Sequence, residues 1–514
     1  MDDAHAPMYD EGPGTGISGH KESAQGAPAA VLAGTVVTAL LAAVFAVSEG
    51  LGANALIIAA AVAVTAAVGV RGRRIRPWTL VWALGGAALV AVPLWHGDTW
   101  LHPLTLAVAL GAASVALAGG RTWWQIATRP FAVLLLAPRG VLWVYRGLAR
   151  VLPRRRGSAG AAFRAVVLTA LVTAVFAALF AAADAVFAEL LSGLVPGGEI
   201  FVRAFLAALG VALAAGAASV AFDPPHGALW REPNVPRVPV RGRMEWAVPL
   251  AVLDVLFAGF VVVQVVVLFG GVDGPLDDAD TTRAEYAREG FWQLLWVTVL
   301  TLVVIALVMY AVPRDRPADR SLAKWLVGVL AVLALVVGAA SLYRTDAYID
   351  DFGLSRSRLV MAGAELWMCV VLVSVLAALV WRAVVAVLPR TTAVAALVTV
   401  VVIAAASPDA MVADQRVSLY ERTGRLNLEY VRGLGVDAVP ALDRLPEPVR
   451  SCALRDIAAD LADGDRPWYA TSLARERAER LLRDRPVRAS ASCPSLLSPG
   501  YGTTRAGDVP AGRR

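Results

Sequence analysis

Two short stretches of this chain concentrate arginine, carboxylate and tyrosine between long apolar runs. The first holds Glu285 and Arg288, three residues apart and so on one face of a helix. The second holds Arg344, Tyr348, Arg356 and Arg358, with Glu365 just beneath them inside the next apolar run. Planar guanidinium groups suit bidentate recognition of carboxylate or phosphate. The six residues with Glu365 are therefore candidates for one anion-binding site, open to an anionic lipid, an envelope precursor or an acidic protein face. Neighbouring acids, among them Asp277, Asp280, Asp346 and Asp350, offer a competing account in which the arginines are spent on an internal ion-pair lattice.

Ionisable residues inside the apolar runs are costly, about 2.5 to 3.5 kcal/mol each on insertion scales, so each needs a reason. Asp184 and Arg203 are brought to similar depth by a short hairpin; a structural ion pair is the simpler account of both, and a polar intramembrane site is the alternative. Asp254 and Gln264 share one run, and Glu365 sits in another. These three either line a polar cavity, as a transporter of a small solute or ion requires, or bridge helices.

Other patterns carry less. His96 and His102 flank Asp98, a spacing more typical of an interface than of a metal site. Ser321 and Lys324 have nucleophile spacing but lack companion motifs, and GTGISGHK near the start is out of step with a phosphate-binding loop and follows no strand. No His-Glu-x-x-His, Gly-x-Ser-x-Gly or Cys-x-x-Cys occurs. The expectation is no metal, no cofactor and no enzyme activity, with a membrane-embedded enzyme as the third reading after a binding platform and a transporter.

The elements that must position these residues are membrane helices. Hydrophobic residues make up 58% of the chain and charged ones only 17%, far from a soluble domain. About eleven runs approach the length needed to cross a ~30 Å hydrocarbon core. They cover 29–47, 51–70, 78–94, 100–118, 161–187, 200–221, 246–269, 291–312, 325–342, 359–381 and 391–406. The fold class expected is an all-α integral membrane protein: a 1–28 cytoplasmic tail without fixed structure, a 29–406 transmembrane domain, a 407–484 helical extracytoplasmic domain and a loose 485–514 tail.

Arginines alternate between connections. Arg71 to Arg76, Arg121 to Arg156, Arg231 to Arg243, Arg314 to Lys324, and Arg382 with Arg390 fall in every second loop, whereas the loops after the first, third and fifth runs have neither Lys nor Arg. Positive charge stays on the cytoplasmic side, which puts the amino terminus inside and residues 407 onward outside a plasma membrane. The same alternation makes 131–148, broken by Pro138, Arg139 and Arg146, an interfacial helix. The net charge of +6 therefore orients the protein and implies no nucleic-acid partner; membrane lipids and an envelope or membrane protein are the partners expected. Of 47 basic residues only Lys21 and Lys324 are lysine, a bias that suggests a GC-rich bacterial genome. Cys452 and Cys493 both fall in the extracytoplasmic segment, where a disulfide can persist, while Cys369 lies inside a span.

The runs EYAREGFWQLL, YRTDAYIDDFGLSRSRL, and SPDAMVADQRVSLY followed by LNLEYVRGLGVDAVPAL resemble the signature segments of the bacterial membrane-protein family labelled domain of unknown function 4173. Ser407 stands where that family would have Asn before Pro-Asp, and Asp414, Gln415 and Arg416 also depart from its pattern. The resemblance implies many spans followed by a short helical tail and brings no established activity. All three segments fall on the expected outer side, which favours a sensor, an envelope-assembly factor or a partner-binding platform.

Overall fold

The computed structural model describes residues 26–45, 50–71, 76–97, 100–151, 199–226, 228–234, 242–269, 283–312, 316–462, 466–488 and 493, with isolated positions between 169 and 184. Every regular element among them is helical, and the chain is an all-α membrane protein. Nine of the described helices are long and apolar enough to cross a bilayer, and two shorter apolar helices, Ala29–Val44 (α1) and His102–Ala118 (α4), accompany them. Most of the expected span at 161–187 lies outside the described residues.

Near 131–148 the element is longer than expected. Trp123–Thr128 (α5), a 3-10 turn at Arg129–Phe131 and Ala132–Val151 (α6) form one stretch that has the length and composition of a span. Pro138 removes one backbone hydrogen bond without ending the helix. Ala132, Val133, Ala137, Gly140 and Trp143 are buried on one face, while Leu134, Leu135, Leu142 and Tyr145 are exposed on another.

The chain divides into two compact units. In the first, α1, Ala53–Val70 (α2) and α6 pack around Glu199–Phe222 (α7). The packing runs through small residues: Ala214, Ala215, Ala217, Ala218 and Ala221 are buried, and a Cβ on Gly216 would stand 2.7 Å from the Val133 carbonyl oxygen. Lipid tails are as apolar as leucine, so helices in a bilayer associate by such close approach. Trp143 meets Phe222 at 5.1 Å, and Arg139 donates to Asp223 at 2.8 Å.

In the second unit Arg243–Phe269 (α8), Arg283–Ala311 (α9), Pro317–Phe352 (α10) and Arg356–Val380 (α11) build a bundle around Leu250, Phe257, Leu294, Leu330, Ala334 and Leu372. Arg382–Ala405 (α12) packs along α11, where Trp367 donates to the Thr392 carbonyl at 3.0 Å. Pro77–Trp95 (α3) and α4 contribute to both units. At 1.5 Å per residue the 36-residue α10 is about 54 Å long, well beyond the ~30 Å of hydrocarbon. Residues near 343–352 thus continue the helix past its apolar stretch, to Gly353 at φ 84°. Ser355 then caps α11 by accepting from the Arg358 amide at 3.4 Å.

The segment after α12 has a core of its own. Pro408–Thr423 (α13), Leu428–Arg432 (α14), Val439–Leu442 (α15), Val449–Ala462 (α16) and Leu473–Asp484 (α17) bury Val412, Val417, Leu428, Val439, Leu442 and Leu454, and Leu354 from the turn between α10 and α11 joins them. Arg450 is fully buried. Its guanidinium donates to Asp443 at 2.6 Å, to Glu447 at 3.2 Å and to the Arg485 carbonyl at 2.6 Å, which fixes the residue after α17 against α16. Cys452 and Cys493 are disulfide-bonded with Cα atoms 5.6 Å apart.

Candidate binding site

Ser407-Pro408-Asp409 starts α13 with proline in the first turn, where its missing N–H costs nothing, and an acid at the positive end of the helix. Asp409 is fully buried. It accepts from Arg356 Nε at 2.5 Å and from Nη2, from Trp100 Nε1 at 3.3 Å and from the Gly435 amide at 2.6 Å. The same guanidinium donates to the Gly433 carbonyl at 3.0 Å and lies 5.6 Å from the Trp100 ring centre. One carboxylate thus joins the segment before α4, the start of α11, the start of α13 and the turn after α14.

A second carboxylate repeats the arrangement. Asp437 accepts from the Gly97 amide at 2.6 Å and from Ser407 Oγ at 3.1 Å, and faces His96 Nδ1 at 3.1 Å. Burial opposes its ionisation, but the hydrogen bonds from His96, Gly97 and Ser407 together outweigh that and hold the carboxyl below its ordinary range. Ser407 reaches this position in the left-handed region, at φ 51°. Serine, histidine and aspartate meet here, yet both other side chains address the aspartate. A serine hydroxyl that donates to a carboxylate is not activated by the imidazole, so the trio is structural rather than nucleophilic.

Gln415 and Arg416 complete the clamp. Gln415 donates to the Ile349 carbonyl at 2.8 Å and accepts from the Leu354 amide at 2.8 Å; Arg416 donates to the Leu354 carbonyl at 2.9 Å and stacks over Tyr430 at 4.3 Å. The helical tail is held on the α10 to α11 turn by backbone as well as side-chain bonds.

The residues expected to form one anion site divide among several environments. Arg356 is committed to Asp409. Arg358 donates to the Gly353 carbonyl at 3.3 Å, and Arg344 to Gln264 Oε1. Glu365 is buried beside Thr298, whose Oγ1 lies 3.4 Å from Oε1. Asp254 is buried on α8, and neither of its carboxyl oxygens is hydrogen-bonded among the described residues. Asp184 and Arg203 are both exposed. The side chains of Glu285, Arg288 and Tyr348 lie outside the described residues, as do Asp98 and the acids from Asp273 to Asp280. His102 Nε2 faces the His96 carbonyl at 3.2 Å, and no group of three metal-ligating side chains occurs among the described residues.

What sequence reasoning missed lies in the tail. An open groove of about 620 Å³ runs between α16, the 466–472 connection and α17. Leu461 and Leu482 give it an apolar floor, Arg466, Glu476, Glu479 and Arg483 line it with both signs of charge, and Trp468 stands 68% exposed at its edge. An exposed tryptophan beside mixed charges over an apolar floor suits a polypeptide better than a small ion. The visible signal was the run Arg466-Pro467-Trp468-Tyr469 in an otherwise charged and aliphatic tail.

Residues 83–445 match the model of the family described as Domain of unknown function (DUF4153). The match spans the bundle, the signature segments and the Asp409 and Asp437 lattice, and stops before the groove. The finding supports the broader expectation of a family of unknown function, under a different label from 4173. No curated protein and no solved structure gives a significant match.

Proposed function

The chain belongs to the family of unknown function DUF4153, and we propose that it is a plasma-membrane protein whose helical tail stands outside the cytoplasm as a partner-binding platform. The observation that carries this reading is the groove beside Trp468, on a segment fastened to the membrane helices by Arg356 and Asp409. A ligand-binding surface gains from a rigid mount, because less ordering entropy is lost on binding. The alternating arginine loops support an inside amino terminus and an outside tail. The three ordered segments keep kinship with the 4173 family as part of the same reading. The partner is an envelope or membrane protein presenting an extended segment with both charges. The test is a photo-reactive residue in place of Trp468 in whole cells, with Leu135 on α6 as the control position. A discrete protein adduct at 468 that is lost when Arg466 and Arg483 are reversed to Glu supports the platform; equal adducts at both positions would refute it.

A second reading, transport of a small solute or ion, draws on Asp254 and Glu365, whose carboxyls are buried without full hydrogen bonding. Both sit among packed helices, and the groove lies elsewhere, which is why the platform is preferred.

A further inference from the structure

Glu365 is fully buried on α11, and among the described residues its Oε2 has no hydrogen-bond partner. Oε1 lies 3.4 Å from Thr298 Oγ1 on α9, which also lies 3.1 Å from the Leu294 carbonyl one turn back. A hydroxyl has one proton, and Thr298 has two acceptors for it, the Leu294 carbonyl at 3.1 Å and Glu365 Oε1 at 3.4 Å. Glu365 therefore receives at most one long, shared hydrogen bond, too little to compensate an ionised carboxylate but enough for a neutral carboxyl.

The surroundings agree. On α10 the position opposite is Gly338, where a Cβ would stand 3.3 Å from Glu365 Oε1 and 2.8 Å from Cys369 Sγ, so the missing side chain is what leaves room for the carboxyl. Ser341 and Thr345 continue the same face of α10, both buried, and Ser341 Oγ is unpartnered. Five charged groups on the packed helices have partners other than Glu365: Arg344 on α10 with Gln264, Arg358 on α11 with Gly353, Arg390 on α12 with the Gly120 carbonyl, and Asp409 and Arg416 on α13 with Arg356 and Leu354. From Gln293 to Ala311, α9 has no charged side chain, and among the described residues the Cys369 thiol is a titratable group that interacts with Glu365. An ionised carboxylate here would be a buried charge without a counter-charge, the costliest state a side chain can take.

We propose that Glu365 is a proton-binding site within the helix bundle, holding its proton beside Thr298 in the space left by Gly338. The inference is independent of the platform reading and adds a proton as a ligand of the membrane domain.

The test uses the full chain in detergent micelles and dicyclohexylcarbodiimide, an apolar reagent that reacts with protonated carboxyls. The acid gives its proton to one carbodiimide nitrogen while its oxygen bonds to the central carbon; acyl migration to nitrogen then leaves a stable N-acylurea that peptide mass spectrometry locates. Expected is modification of Glu365 that persists at about pH 8, where an exposed glutamate of pKa about 4.3 is ionised, and that falls at higher pH. Excess sodium should give no protection. Glu365→Gln, a neutral isostere of the acid, should lose that adduct and keep the wild-type elution profile. Absence of the wild-type adduct at every pH would overturn the proposal, and so would protection by sodium, which would make the site a cation site.

Discussion

Arg356 and Asp409 lie 53 residues apart, and the sequence offers Arg356 several nearer acids. Folding chooses Asp409 because that carboxylate is buried at a helix start, where the Gly435 amide and the Trp100 indole also converge on it. Removing one member of a buried, hydrogen-bonded pair strands the other. Asp409→Asn should therefore destabilise the protein by about 3 kcal/mol, the low end for such pairs because Arg356 keeps 30% of its side chain exposed. Thermal unfolding in detergent measures the loss, and limited proteolysis should show early release of the segment after residue 406. Arg358→Gln removes a bond at 3.3 Å to the Gly353 carbonyl, a contact worth about 1 kcal/mol. Asp437 adds a pH dependence. Its folded carboxyl titrates below the ordinary value, so its contribution is complete above that value and is lost as pH falls through the folded one. Acid should loosen the tail in the wild type, and Asp437→Asn, already lacking the contribution, should show a weaker acid dependence in hydrogen exchange at Gly97 and Ser407.

At the scale of elements, hydropathy made the helices legible and pairing was not. Apolar runs such as 291–312 and 391–406 specify a helix because every backbone group in lipid must be bonded internally, and they do so without any partner in view. The Trp123–Val151 stretch differed because Pro138, Arg139 and Arg146 read locally as interruptions. Pairing of Arg139 with Asp223 and the close approach at Gly140 and Gly216 arise only when α7 arrives from later in the chain. Gly216→Leu tests that approach: the side chain would meet the Val133 backbone, which cannot swing aside as a flexible chain can, so a loss of about 1 to 3 kcal/mol is expected in detergent unfolding. The candidate site was legible only in part, and for the same reason. Glu365 announced itself as a glutamate in an apolar run, and Arg356 as an arginine beyond one; Asp437 and His96, 341 residues apart, had no local feature to join them. The groove is hidden further, since its walls come from α16, α17 and the connection between them, where the run Arg466 to Tyr469 is a local signal but does not show what it packs beside.

For the second unit as a whole, α10, α11 and the helical tail are joined by buried polar bonds and by Leu354 in the core of the tail, and the side of the membrane on which the tail stands decides what it can meet. Charge bias in the loops argues for an exterior tail, and the Cys452 to Cys493 disulfide fits an oxidising compartment better than the cytoplasm. The bridge closes a loop with a sequence separation of 41 residues, for which chain entropy gives about 3 to 4 kcal/mol. Cys452→Ser should lower stability by that order in non-reducing detergent and leave the bundle inserted, with loss of protection confined to the segment around α16 and α17. Trp468→Cys, exposed at the groove edge, supplies the directional readout: a membrane-impermeant maleimide should label it in intact cells, while a cysteine at Arg76 should react only after the cells are opened. Labelling of both positions in the reverse order would place the groove in the cytoplasm. It would remove the envelope partner from the proposal and leave the proton site at Glu365 untouched, because that site depends on burial within the bundle and not on which side the tail faces.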